Sequence, residues 1–237
     1  MRPTLLVMLL IAVLAGSTGW SAPQGPVETA ADAVPPDILR AIPSADVIID
    51  AGHGGIDGGT HFGDVKESNI NLAIGRKLYL LLRSRGVRAV LNRTGDYALS
   101  DENRWHVTRS RHRKDLSQRR GLSDEIDARM LVSLHANWSP RGGGNGPIVL
   151  YRKDDGRGAL LAFFLQDSLN RQQGKRNRTK PAKRFYLLNT VKVPSVIVET
   201  GFLSDPGDRA MLTSPRGQTR IAEAMTAAIL AYRCLDP

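Results

Sequence analysis

The sequence predicts an α/β domain: a mostly parallel or mixed sheet with helices on both faces. Two observations carry this expectation. Short apolar runs alternate with longer segments that are apolar at helical spacing, the pattern that crossover connections produce. Several of the apolar runs also end abruptly in segments containing Gly, His or Glu, as buried strands do at a sheet edge. The 237 residues are enough for one such domain with short flanking segments.

Taken in order, residues 47–50 (VIID) read as the first strand. Residues 68–85 place Ile70, Ala73, Ile74, Leu78, Leu81 and Leu82 on one helical face, and Gly86 sits where a C-terminal cap belongs. Residues 87–91 read as a strand, 116–128 as a helix, 130–134 and 147–151 as strands, and 159–170 as a helix. Residues 185–188 and 195–198 are further strand candidates. Ser214 and Pro215 form an N-cap and first-turn pair that opens a last helix running to Tyr232.

Before this domain, Arg2 and the apolar run 5–15 have the layout of a secretory signal. The run is short for a membrane span, which needs roughly 20 residues. Residues 1–22 are therefore expected to be a cleaved signal, with an uncleaved anchor and membrane tether as the alternative. Residues 23–44 hold Pro23, Pro26, Pro35, Pro36 and Pro43 and read as a linker. The catalytic domain is expected over 45–237, without an internal repeat or a second domain.

Charge and cysteine usage narrow the chemistry. The net charge of +10 favours an anionic partner. Export makes that a cell-wall polymer or membrane surface, and no nucleic acid is expected. A single cysteine, Cys234, permits neither an intrachain disulfide nor a thiolate zinc cage. Any metal must be held by His, Asp or Glu. Nucleophilic catalysis has little support, since no Gly-x-Ser-x-Gly elbow appears.

Three apolar strands run into ligand-type side chains: residues 47–50 into AGHGG with His53, 131–134 into His135-Ala136-Asn137, and 196–198 into Glu199-Thr200-Gly201. Active sites of open α/β sheets sit at that edge. Singly, each residue has a plain structural reading. A His after a strand is commonly a hydrogen-bonded structural group. Glu67, at a helix start, suits the helix dipole. Glu199, close to the interior, requires a partner, a metal or a raised pKa. Together, His53, Glu67 and His135 make a catalytic zinc set with an open fourth position, one Zn2+ per chain. Glu199 is then the catalytic proton carrier.

The segments IDAGHGG at 49–55, Glu67 before Asn71-Leu72, SLHAN at 133–137 and VETGFLS at 198–204 resemble, in order, the motifs of the zinc-dependent N-acetylmuramoyl-L-alanine amidases. The resemblance covers roughly 47–232. It implies a twisted six-stranded sheet of phosphorylase/hydrolase-like type, and cleavage of the amide between the muramoyl lactyl group and L-alanine in peptidoglycan. It assigns the zinc ligands to His53, Glu67 and His135 and the catalytic glutamate to Glu199. The chain is most similar to sporulation-type (CwlD-like) members, through its short N-terminal apolar segment, its lack of wall-binding repeats and the basic run 109–114. This implies action in spore cortex maturation and germination, in the cell wall or the forespore intermembrane space. Asp205 stands where relatives often carry Asn. The short interval between His135 and Glu199, filled by recognisable elements, leaves no room for an inserted self-blocking helix, so control lies elsewhere, for instance in an accessory activator protein.

Residues 104–120 carry seven Arg or Lys against one Asp, and 171–184 carry seven against none. These stretches read as solvated faces or as contacts to the anionic glycan-peptide. Forked arginine donors suit the carboxylates of muramyl stems. Arg119 and Arg184, one from each stretch, and Asn137 beside His135 are the candidate substrate contacts, and Trp105 is a candidate for stacking on a sugar. His61, His106 and His112 are not expected to be ligands. The competing readings are a zinc carboxypeptidase on the stem peptide, a vegetative or division amidase, and a non-enzymatic binder of anionic polymer.

Overall fold

The computed structural model describes residues 44–101 and 107–235. The expected signal, all but the last residue of the expected linker, and Trp105 and His106 lie outside the described residues. Among those described, no helix is long and apolar enough to cross a membrane.

The strands are β1 (Val47–Ala51), β2 (His61–Phe62), β3 (Val65–Lys66), β4 (Ala89–Leu91), β5 (Leu131–Asn137), β6 (Ile148–Arg152), β7 (Lys180–Ala182) and β8 (Ser195–Phe202). The helices are α1 (Glu67–Ser84), α2 (Arg111–Glu125), α3 (Gly156–Gln173), α4 (Tyr186–Thr190), α5 (Pro206–Thr213) and α6 (Pro215–Leu235). Six strands form one sheet in the order β4-β1-β5-β8-β6-β7, while β2 and β3 make a separate hairpin. Neighbours from β4 through β8 are parallel; β6 runs antiparallel to β8, and β7 parallel to β6. The expected mixed, six-stranded α/β fold is therefore present.

Side-chain alternation divides the central strands between two cores. Val47, Ile49, Val132, Leu134, Val196 and Val198 bury against α1, α3 and α6, with Ile74, Leu78, Leu161, Leu165, Met225 and Ile229 fully enclosed. Each such side chain contributes about 1.5–3 kcal/mol by leaving water. On the other face, Ile48 and Leu131 pack with Leu187 and Val191 of the α4 segment and with Leu116 and Leu122 of α2. Asp50, Ser133, His135 and Glu199 share this second face, because each is an even number of residues from Ile48, Leu131 or Ile197.

Several boundaries differ from expectation for local reasons. Helix α2 starts at Arg111 rather than 116, because the Ser110 hydroxyl caps it by accepting from the Arg113 amide. Residues 185–188 are not a strand. Leu187 and Leu188 are adjacent yet both buried, as a helix turn allows, and they belong to α4. The edge position goes to β7, where Pro181 is tolerated because a sheet edge needs no donor there. Asp205 is the N-cap of α5, its side chain accepting from the Asp208 amide. Helix α3, between His135 and Glu199 in sequence, packs in the core of the opposite face and does not cover the site.

Candidate metal centre and active site

Parallel pairing of β5 with β8 puts His135 directly beside Glu199. Pairing of β1 with β5 brings the loop after Ala51 to the same edge. Glu67 arrives from the first turn of α1, directly after the β2–β3 hairpin. His53 Nε2 lies 3.3 Å and His135 Nδ1 lies 3.0 Å from Glu67 Oε1. The three candidate ligand atoms all lie within 4.8 Å of one another. The two imidazoles meet edge-on, with ring centroids 4.9 Å apart. The residues that the sequence picked out for a metal are thus gathered in one place.

Glu67 is held from all sides. Its Oε1 accepts from the Ala136 amide at 3.0 Å, and its Oε2 from the Thr60 amide at 2.8 Å. Burial alone would raise its pKa, but the hydrogen bonds and charges of His135 and His53 hold it well below the carboxylate range. His53 shows the mirror effect. Burial alone would lower it, yet Glu67 and Asp57 outweigh burial and raise it to about 9. The proton that His53 shares with Glu67 in the metal-free site is one that a cation at the same nitrogen would displace, since a ligating imidazole is neutral.

Glu199 faces the same space differently. Its Oε2 is shielded from solvent and has no hydrogen-bond partner among the described residues. Burial, reinforced by the Glu67 charge and opposed by His135 and His53, raises it to about 6. An orphaned carboxylate oxygen beside two imidazoles and a carboxylate fits a divalent cation of the zinc class with an adjacent proton acceptor. The backbone makes room for this. A Cβ built on Gly52 would sit 2.5 Å from the His135 ring and 2.6 Å from the Leu134 carbonyl. Gly52→Ala is therefore expected to displace His135 and to weaken uptake of any metal ion at this site at least tenfold, measured by chelator competition.

Beneath the ligands lies a buried network. Arg119, 3% exposed, donates from Nη1 to Asp50 at 2.6 Å and to the Ala51 carbonyl at 3.0 Å, and from Nη2 to the His53 carbonyl at 2.9 Å. Its Nε donates to Asp115. The Ser133 hydroxyl donates to Asp50. Arg93, 1% exposed, donates to the carbonyls of Ala51, Gly52, Ser68 and Gly95. Two buried guanidinium groups thus fix the loop that presents His53. The expected contact between Arg119 and a substrate carboxylate does not fit: Nε, Nη1 and Nη2 all donate to protein oxygens inside the fold.

A cavity of about 340 Å³ opens beside the ligands. His53, His135, Arg119 and Arg184 line it together with the apolar side chains of Leu116, Phe185, Leu187 and Ile197. Arg184 is exposed. Asn137 lies at the end of β5 on the His135 face, its Oδ1 accepting from the Trp138 amide at 2.7 Å. His112 and Asp57 also line the cavity, although neither groups with the three candidate ligands. His61 is an exposed residue of the hairpin. Asp57 and Arg93 were missed by sequence reasoning. An Asp four residues after His53 in a glycine-rich turn was the available signal for the first. Nothing local distinguished Arg93 from a surface arginine.

Comparison with known proteins agrees with this geometry. A profile of the Amidase_3 family, N-acetylmuramoyl-L-alanine amidase, matches residues 47–231. The germination-specific N-acetylmuramoyl-L-alanine amidase of Bacillus subtilis is 31% identical over 189 residues, covering 78% of both chains. The CwlD amidase of Clostridioides difficile, solved with the GerS lipoprotein, superimposes with a TM-score of 0.75 at 34% identity, covering 81% of this chain and all of that one. AmiC2 of Nostoc punctiforme gives a TM-score of 0.68 at 31% identity, covering 81% of this chain and 99% of that one. The chain belongs to the N-acetylmuramoyl-L-alanine amidase family, enzymes that act on cell-wall peptidoglycan.

Proposed function

We propose that this chain is a zinc amidase of spore-cortex peptidoglycan, exported to its substrate, with His53, Glu67 and His135 as ligands and Glu199 as the catalytic base. The observation that carries the reading is the convergence of two imidazole nitrogens and one carboxylate oxygen within 4.8 Å, with Glu199 on the neighbouring strand facing the same space. A bound zinc ion supplies Lewis-acid charge that polarises the scissile carbonyl and makes water a better nucleophile at neutral pH.

Glu199 does the proton work. Its unpartnered Oε2 accepts a proton from the attacking water as oxygen bonds to the lactyl carbonyl carbon. The same carboxyl then gives the proton to the departing nitrogen as the C–N bond breaks. One water is consumed, leaving a lactyl carboxylate and a stem peptide with a free L-alanine amine. The apolar wall of the cavity takes the stem, and Arg184 at its exposed side pairs with a stem carboxylate. Asn137 supplies a polar contact beside His135.

The spore assignment rests on likeness to the germination-specific enzyme of Bacillus subtilis. The complex of the Clostridioides difficile enzyme with the GerS lipoprotein suggests an accessory protein here as well. Product analysis tests both parts of the reading. Purified protein with zinc, given cortex peptidoglycan, should release intact stem peptides with free N-terminal alanine, identified by mass spectrometry, and release fewer from vegetative sacculi. Removal of only a C-terminal stem residue would make it a carboxypeptidase, and a preference for vegetative wall would overturn the spore assignment. Arg184→Ala should raise KM about tenfold on stem-bearing substrate with little change in kcat, since a rim arginine binds without touching the reacting bond.

A further inference from the structure

We infer that Asp57 is a positioning residue of the metal centre: its carboxylate fixes the His53 ring so that Nε2 faces the cation. The inference rests on the zinc reading of His53, Glu67 and His135.

His53 is the only non-glycine among the described residues with a positive φ, at 60°. An ordinary residue is strained in that conformation, and such strain persists only where neighbouring structure imposes it. The turn that follows does so. The Gly54 amide donates to the Asp57 carbonyl at 2.8 Å, and the Asp57 amide donates back to the Gly54 carbonyl at 3.1 Å. This closed pair folds the Asp57 side chain back onto the imidazole it follows by four positions.

The resulting contacts are directional. Asp57 Oδ2 lies 2.9 Å from His53 Nδ1, while Oδ1 accepts from the Gly59 amide at 3.1 Å. An ionised carboxylate only accepts, so the proton must reside on Nδ1. Nε2 faces a second carboxylate acceptor, Glu67 Oε1 at 3.3 Å, and a cation bound there would replace the proton on Nε2 while Nδ1 keeps its own. Without Asp57 the ring could turn or carry its proton on Nε2, and both states exclude a cation. Carboxylate support of a ligating histidine typically accounts for about 10- to 100-fold in metal affinity. The Asp57 side chain is 45% exposed, so water partly replaces it, and the lower end of that range applies.

The chemistry also predicts how a near-isostere fails. In Asp57→Asn one terminal group becomes NH2. If it faces the Gly59 amide, that donor loses its acceptor and the ring contact survives uncharged. If it faces Nδ1, the ring is driven into the tautomer that cannot bind. Asparagine is therefore expected to be intermediate.

The test uses the full chain and zinc alone, in competition with a chelator at fixed neutral pH, alongside urea unfolding of the metal-free proteins. Asp57→Ala should weaken zinc binding about tenfold, and Asp57→Asn by less, with metal-free urea midpoints close to wild type. Zinc affinity of Asp57→Ala within threefold of wild type overturns the inference while the zinc reading stands. Should Asp57→Ala fail to fold, Asp57→Asn decides alone: weaker zinc binding with an unchanged metal-free midpoint supports the inference, and wild-type affinity overturns it. Wild-type protein that takes up no zinc overturns the zinc reading, and this inference with it.

Discussion

Replacing Glu199 by glutamine is expected to lower kcat on peptidoglycan by about 10²–10⁴-fold, the span that positioned general acid–base catalysis supplies. The substitution keeps size and hydrogen-bonding capacity but removes the group that accepts and returns the proton. Because Glu199 is not one of the three converging ligands, zinc affinity should stay within a few-fold of wild type. Steady-state kinetics and chelator competition on one preparation separate the two effects. His53→Ala should instead abolish zinc uptake and activity together. Full activity in Glu199→Gln would remove the assigned proton carrier.

The second large effect concerns Arg119. This guanidinium is 3% exposed and neutralises Asp50, itself 1% exposed, and Asp115. Arg119→Ala leaves Asp50 buried without its charge partner and should destabilise the fold by about 3–5 kcal/mol, read from urea unfolding. Lysine should not rescue it, since a single ammonium cannot reach Asp50, Asp115 and two carbonyls at once. The double variant Asp50→Asn/Arg119→Met should recover part of the loss, because Asp50 no longer carries a stranded charge while Asp115 still lacks its partner. Acid sensitivity follows from the same pair. Burial alone would raise the Asp50 pKa, but the Arg119 charge, helped by the Ser133 hydroxyl, holds it below the usual carboxylate range. A carboxyl depressed by folding contributes stability above its unfolded pKa and loses that contribution as pH falls through the folded one. The double variant should therefore show a flatter decline in stability below about pH 4 than wild type. An equal decline in both would place the acid-sensitive group elsewhere.

The candidate centre was legible to the extent that strand ends are local features. His53, His135 and Glu199 each follow a short apolar run, and Glu67 opens a helix whose apolar spacing is plain in the sequence. Those signals depend on neighbours a few residues away. The short elements were less legible. Residues 185–188 are apolar and aromatic, as a strand would be, but their neighbours in the fold bury both leucines on a helical turn. The β2–β3 hairpin, with two residues per strand, carries too little pattern to announce itself. Asp205, read only as a departure from relatives, proves to cap α5.

Sequence alone determined the α/β alternation, the chemical type of the donor set and the family, because these reside in local patterning and in motif order. Tertiary structure decided which donors meet, since the order β4-β1-β5-β8 is set by long-range pairing. It also decided what the arginines do. Arg119 belongs to a basic run that reads as a surface for carboxylates, yet its partners Asp50, Ala51 and His53 come from β1 and the loop after it, 66 to 69 residues earlier in the sequence, and enclose it. Whether a charge is solvated or buried depends on groups distant in sequence, and no local pattern records them. For the same reason Glu199 was readable as an acid near the interior, while its orphaned oxygen and raised pKa emerged only once β8 lay beside His135.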